Sequence, residues 1–330
     1  MNSDSRNYKE KIFYLFNFFM ALVPIIIIVL LTSFLLYYSI PSMRYNGFKF
    51  FTSYLWYPGQ IYRAPITVNG VQAPYDSSFG MLLFFLGTIL TSTIALLIAF
   101  PISIFTALTI NLYIPHHLKK LVGGLVELFA GIPSVVYGLW GIIVLEPILF
   151  NYIEPWMNKN LHVIPFFSGA IYSGSGIIAS GLILSIMIIP IITAVISDTM
   201  ASVSRDAKDG AFALGATKWE VGKNILFKYS KIQTLGATLL GLGRALGETM
   251  AVLMVCGSVV NILPSSIYSP INTMAAAIAS LLDSAFMDPT GMNLSALAEL
   301  ALVLFLITMI VNIIGRTIVG RGILRGYEYE

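Results

Sequence analysis

Most of the apolar residues of this chain lie in long uncharged blocks rather than in short amphipathic stripes. A hydrocarbon core of about 30 Å is crossed by roughly 20 apolar residues in helical conformation. Six blocks meet that length, at about 12–38, 79–113, 121–150, 176–196, 232–260 and 294–319. The first has no charge between Lys11 and Arg44. It is too long for the apolar region of a cleaved leader and lacks a small-residue cleavage site, so it is expected to stay as an anchor. A further stretch, about 271–282, is too short to cross and reads as an interfacial or re-entrant helix. The pattern predicts an all-α fold, a polytopic membrane bundle of six transmembrane helices. Residues 1–78 then form an anchor helix with an outer loop, and 79–330 form a core with a long polar connection at about 197–231.

Composition agrees with that reading. Of 330 residues, 57% are hydrophobic and 11% charged, against about 25% charged in soluble domains. The Lys and Arg residues are unevenly shared among the connections. Fourteen fall on the side of the amino terminus, the second-to-third and fourth-to-fifth connections and the carboxyl terminus, and four fall on the other (Arg44, Lys49, Arg63, Lys159). The positive-inside rule then makes both termini cytoplasmic and the aromatic-rich loop 41–78 external. The net charge of +3 follows from topology. No basic run with interleaved aromatics marks a nucleic-acid surface.

Several catalytic signatures are missing. No G-x-x-x-x-G-K-[ST] loop occurs, so the chain is not expected to hydrolyse ATP or to act as an enzyme by itself. His116, His117 and His162 lack metal-binding spacing, and the single Cys256 offers neither a disulfide nor a thiolate cluster. No metal or other cofactor is expected. Gly241-x-Gly243-x-x-x-Gly247 has the wrong spacing for a dinucleotide loop and follows no strand. With Ala251, Gly243 and Gly247 instead repeat every four residues, a small-residue face suited to close helix packing.

Charges inside the apolar blocks carry the first functional signal. Arg244 and Glu248 sit four residues apart near the middle of the fifth block, which in a continuous helix places them on one face. Each charge at that depth costs roughly 2.5–3.5 kcal/mol on insertion scales, so both should face a cavity or a partner. Two readings are open: a structural ion pair that fixes bundle packing, and an anion site. In the second, the Arg244 guanidinium presents a planar fork to anion oxygens. Glu248 neutralises it when substrate is absent and keeps binding weak enough for release. Glu127, a turn before the Pro133 kink in Gly131-Ile132-Pro133-Ser134, either reaches Arg244 from another helix or makes an ordinary interhelical hydrogen bond. Glu299, near the outer end of the last block, reads as a solvated rim residue. Tyr137, Ser134 and Thr249 are candidate anion donors or plain helix contacts.

The connection 197–231 carries the second signal. Ala207, Ala211 and Leu214 fall at i, i+4 and i+7, a small apolar face ended by Gly215. Such a helix suits either a groove on a protein partner or the lipid interface. Here the chain resembles a known family. Asp209-Gly210-Ala211, three residues, Gly215, nine residues and Ile225 match the spacing of the EAA coupling loop of bacterial ABC importers, with Asp209 and Gly210 in place of Glu and Ala. The stretches AGIPSVVYGLWG (130–141), ALGATKWEV (213–221) and GLGRALGETMAVLMV (241–255) resemble the phosphate-specific ABC permeases, on the C-type side of that family.

The resemblance implies a type I importer permease in the bacterial inner membrane. It would be paired with a homologous A-type permease and served by two copies of a cytoplasmic ATPase and an external phosphate-binding protein. It also implies that Asp209, Gly210, Ala211 and Gly215 dock on the ATPase, and that Arg244 and Glu248 serve phosphate passage. The alternative is an ion-coupled secondary carrier or channel, which needs no docking helix at 197–231.

Overall fold

A computed structural model describes residues 3–326, and the chain in it is mostly helical. The first helix, α1 (Ser3–Asn46), continues through Pro24 and Pro41, so the first residues of the expected outer loop are still helical. Two small antiparallel ribbons follow. β1 (Trp56–Tyr57) pairs with β4 (Ser78–Phe79), and β2 (Ile66–Val68) pairs with β3 (Val71–Ala73) across an Asn69-Gly70 turn. Then come α2 (Leu82–Leu112), α3 (His116–Ala130), α4 (Ser134–Leu161), α5 (Ile177–Ala201) and α6 (Arg205–Ala213). The chain ends with α7 (218–246), α8 (Met250–Val255), α9 (Met274–Ala285) and α10 (Met292–Gly326).

Among the described residues, five segments are long and apolar enough to cross a membrane: Phe13–Asn46, Leu82–Leu112, Ser134–Leu161, Ile177–Ala201 and Met292–Ile318. Two expected crossings differ from the sequence reading. The third begins at Ser134 and not near 121, because Pro133 offers no N–H and disfavours helical geometry at Ile132. The residues before it form the separate helix α3. The fifth is not one helix, since the chain leaves helical geometry at Gly247, Glu248 and Thr249 and resumes it only for the six residues of α8.

Inside α4 two prolines, Pro147 and Pro155, are accommodated by wide turns. The N–H of Glu146 bonds to the Gly141 carbonyl and that of Glu154 to the Leu149 carbonyl, each five residues back. A proline ring collides with the carbonyl four residues earlier in a regular helix, and opening the turn just before it relieves that collision.

The centre of the bundle is the α2–α5 contact. Ala95, Ala99, Ser103 and Ala107 form a buried stripe of small residues along α2, and Leu184, Ile188, Ile192 and Ile196 form one of large residues along α5. Both repeat every four residues, so the small stripe lets the larger one come close. The Ser103 hydroxyl donates to the Ile189 carbonyl across this contact at 3.2 Å. The amino-terminal region does not stand apart from the core, because Phe50, Trp56 and Phe79 share one buried cluster with Met274, Leu297 and Leu300.

The last part of α1 packs along α10 through a polar network. Pro41 has no N–H to complete its turn, and the ladder opens around it. Ser295 fills the opening: its hydroxyl donates to the Tyr38 carbonyl at 2.6 Å and accepts from the Ser42 N–H at 3.1 Å. The Ser42 hydroxyl in turn donates to Glu299 Oε2 at 2.6 Å. Glu299 is therefore 1% exposed and is not the solvated rim residue its position suggested. Its neighbour across the interface, invisible in a linear reading, decides its burial.

Candidate translocation and coupling sites

Arg244 lies in the last turn of α7, where the helix C-terminus favours a cation. The helix then closes with short-range bonds, from Gly247 N–H to the Arg244 carbonyl at 3.2 Å and from Glu248 N–H to the Ala245 carbonyl at 3.4 Å. Beyond this break the Glu248 carboxylate accepts from the Ala251 N–H at 3.4 Å, and the Thr249 hydroxyl donates to the Gly247 carbonyl at 3.3 Å. The two charges are thus not held on one face of a continuous helix, and they form no ion pair. Arg244 is exposed, and its guanidinium has no hydrogen-bond or ion-pair partner among the described residues. Five N–H donors in a fixed fork are available there. Glu248 and Thr249 are half-buried beside it.

The break is positioned by the first turns of α4. Glycines 138 and 141 let α8 approach closely: a Cβ at Gly138 would lie 2.7 Å from Met254 Sδ and 3.1 Å from Ala251 Cα, and one at Gly141 would lie 2.6 Å from Val255 Cγ1. Across the α3–α4 junction, the Tyr137 hydroxyl donates to the Phe129 carbonyl at 2.8 Å. That proton is committed to the junction. Ser134 is half-buried next to it, whereas Glu127 is exposed on α3 and forms no ion pair with Arg244. Gly243 packs against Asn312 of α10, with a Cβ 2.5 Å from Asn312 Oδ1. Gly247 is exposed and has no heavy atom within 3.9 Å of that position. The interruption at 247–249 prevents Gly243, Gly247 and Ala251 from presenting a single face to one neighbour.

At the other end of the bundle, α6 is a short helix with defined ends. Ser204 caps its start, accepting from the Ala207 N–H at 3.3 Å. Its end carries two closing bonds, from Ala216 N–H to the Ala211 carbonyl at 3.0 Å and from Gly215 N–H to the Phe212 carbonyl at 2.9 Å. This is the Schellman arrangement, and it puts Gly215 at φ +84°. Immediately afterwards Thr217 and Glu220 form a capping box for α7, with Thr217 N–H to Glu220 Oε2 at 2.7 Å. Those donors hold the Glu220 carboxyl below its ordinary range. Asp209 and Gly210 are exposed and Ala211 is half-buried; Leu214, at 91% exposure, and Trp219 extend the apolar side of the turn. Partial burial, followed by repulsion from Lys119 and Arg205, lowers the proton affinity of Lys208, with Asp209 opposing. Just after the turn, Trp219 stacks on Phe105 of α2 and Lys218 Nζ lies over the Tyr113 ring at the α2–α3 junction.

Sequence reasoning passed over two acids. Glu146 and Glu154 occupy α4, Glu154 at 2% exposure, and Oε1 of the first and Oε2 of the second are buried without a hydrogen-bond partner among the described residues. The available signal was a pair of Glu-Pro dipeptides eight residues apart.

Comparison with known proteins shows the family of the chain. Residues 99–321 match the family described as the binding-protein-dependent transport system inner membrane component. The phosphate transport system permease protein PstC 1 of Mycobacterium bovis is 40% identical over 91% of this chain and 90% of its own length. The PstC proteins of Xylella fastidiosa and Haemophilus influenzae are each 38% identical over 74% of this chain, and over 74% and 78% of their own lengths. Among solved structures, the MetNI methionine ABC transporter in an inward-facing form is 16% identical over 71% of this chain and 93% of that one, with a TM-score of 0.46. The chain belongs to the binding-protein-dependent transport system inner membrane component family, among its PstC-type permeases.

Proposed function

We propose that this chain is the C-type permease subunit of an ATP-driven importer that passes inorganic phosphate across the cytoplasmic membrane. The observation that carries the reading is Arg244, an unpartnered guanidinium at a helix interruption between apolar segments. Non-helical backbone at membrane depth is tolerated where it lines a cavity or meets protein, and a free fork of donors there suits a tetrahedral oxyanion. The identity to phosphate permeases supports phosphate over other oxyanions. Glu248, half-buried across the break, repels the bound anion and keeps its residence short. An A-type permease completes the pathway on the Arg244 side. A cytoplasmic ATPase dimer takes the exposed turn around Asp209, Gly210, Ala211 and Gly215, and an external binding protein delivers phosphate. Both termini then face the cytoplasm.

Radiolabelled phosphate uptake by the reconstituted four-component complex, normalised to assembled complex, tests the site. Charge-assisted hydrogen bonds contribute about 1.5–3 kcal/mol, so Arg244→Gln should lower uptake roughly ten- to hundredfold, with partial recovery in Arg244→Lys. Because Arg244 and Glu248 are not paired, combining Arg244→Gln with Glu248→Gln should not restore uptake. A double variant with wild-type uptake overturns the anion-site reading.

A further inference from the structure

Arg244 is exposed although Gly243, Ala245 and Leu246 beside it are all buried. Successive residues of a helix point about 100° apart, so the rotation of this one turn decides whether the guanidinium leaves the packed face or enters it. The ladder of α7 fixes Arg244 only relative to the rest of α7, and the helix ends two residues later. How the turn faces the bundle is set by what packs on it.

Helix α10 makes that contact. A Cβ at Gly315 would lie 3.1 Å from Leu239 Cβ and 3.4 Å from the Gly236 carbonyl oxygen, so the two helices approach closely there. Towards Arg244 the contact becomes polar on one side only. A Cβ on Gly243 would lie 2.5 Å from Asn312 Oδ1 and 2.8 Å from both Cγ and Nδ2. Nearly equal distances to three bonded atoms place that point above the amide plane, so the carboxamide lies flat on Gly243. Its Nδ2 donates to the Thr308 carbonyl at 2.9 Å, which tethers the amide. The Thr308 hydroxyl is itself spent on the Leu304 and Phe305 carbonyls at 2.9 and 3.0 Å. Asn312 Oδ1 has no hydrogen-bond partner among the described residues.

A polar side chain inside a membrane-spanning helix carries a desolvation cost that leucine, of similar size, avoids. Asn312 does not recover it through a hydrogen bond to α7. What the amide offers in exchange is a thin, rigid plane, whereas the tetrahedral Cγ of leucine sets methyl groups out of plane and cannot lie this close to a backbone. We propose that Asn312 is the positioning residue of the anion site. Its tethered carboxamide, seated on Gly243, sets the spacing of the last turn of α7 from α10, and so the direction in which Arg244 leaves the helix. This inference rests on the anion reading of Arg244; Asn312 acts through that residue and does not itself have to touch the anion.

Phosphate uptake per assembled complex, measured for Asn312→Ala, Arg244→Gln, their combination, Gly243→Ala and the Gly243→Ala, Asn312→Ala pair, tests it. Asn312→Ala should leave the amount of complex unchanged and lower uptake roughly tenfold, less than the roughly hundredfold that a misplacement of about 1 Å can cost. Gly243→Ala drives a Cβ into the amide and should lose a similar share, part of which returns when Asn312→Ala clears the space. In the Arg244→Gln background Asn312→Ala should add no further loss, because no guanidinium is left to aim. Multiplying losses there would mean that Asn312 acts independently of Arg244. If Asn312→Ala lowers only the amount of complex, or changes nothing, the residue serves packing alone; if Gly243→Ala transports as wild type, or the pair recovers nothing, the contact does not hold the turn. Each of these results overturns the inference and leaves the anion site standing. Wild-type uptake by Arg244→Gln alone overturns the anion reading itself, and this inference with it.

Discussion

Replacing Gly215 by alanine separates two reasons for a glycine in the turn after α6. The residue sits at φ +84°, and no heavy atom lies within 4 Å of where its Cβ would be. The steric cost within the chain is therefore nil, and the whole effect comes from the backbone. An L-residue in left-handed geometry costs roughly 1–2 kcal/mol, less for asparagine, which lowers the population of the closed turn about 5- to 30-fold. The Ala216 N–H, bonded to the Ala211 carbonyl at 3.0 Å, reports that closure. Hydrogen exchange at Ala216 should therefore speed up by that factor in Gly215→Ala and by clearly less in Gly215→Asn. Substrate-stimulated ATP hydrolysis in the complex should fall in the same order. If asparagine impairs coupling as much as alanine while Ala216 exchange stays slow in both, the position needs a small residue against a partner, and the backbone argument fails.

Two further substitutions test the packing that holds the site. Ser295→Ala removes the hydroxyl that bridges the Tyr38 carbonyl and the Ser42 N–H at the Pro41 kink. Leaving buried polar groups unpaired costs about 1–3 kcal/mol each; the thermal midpoint of the purified complex should fall, and Ser295→Thr should recover part of the loss. Gly87→Ala would place a Cβ 2.2 Å from the Asn272 carbonyl oxygen, a backbone atom that cannot step aside by rotating a side chain. The start of α9, tied to α2 by the Met274 N–H to Thr88 hydroxyl bond at 2.9 Å, should be displaced, with a destabilisation of about 1–3 kcal/mol in detergent unfolding. An unchanged midpoint would contradict that contact.

Much of this protein is legible in one dimension because lipid asks a one-dimensional question. Crossing a hydrocarbon layer requires length and apolarity, and four of the blocks, about 12–38, 79–113, 176–196 and 294–319, meet helices that satisfy both. The geometry of the turn between α6 and α7 is equally local: Ser204, Gly215 and Thr217 act on their own neighbours, and the spacing of Asp209 to Ile225 marks the segment. An arginine in an apolar block also stands out without any structure.

Whatever depends on which element lies across the way was decided only in three dimensions. A hydropathy window averages straight across Gly247 to Thr249, but the helix stops there, and the expected Arg244–Glu248 pair stops with it. Glu299 looks like a rim acid until Ser42 of the first helix is found against it, and Glu154, passed over in the linear reading, is buried although its sequence neighbours are exposed. Side-chain type determines how much burial a segment seeks, whereas the direction each side chain takes depends on backbone hydrogen bonds that shift by one residue at a proline. In α4 those shifts follow from Pro147 and Pro155, whereas what each redirected side chain meets is set by the helices packed against it, and so belongs to the tertiary structure.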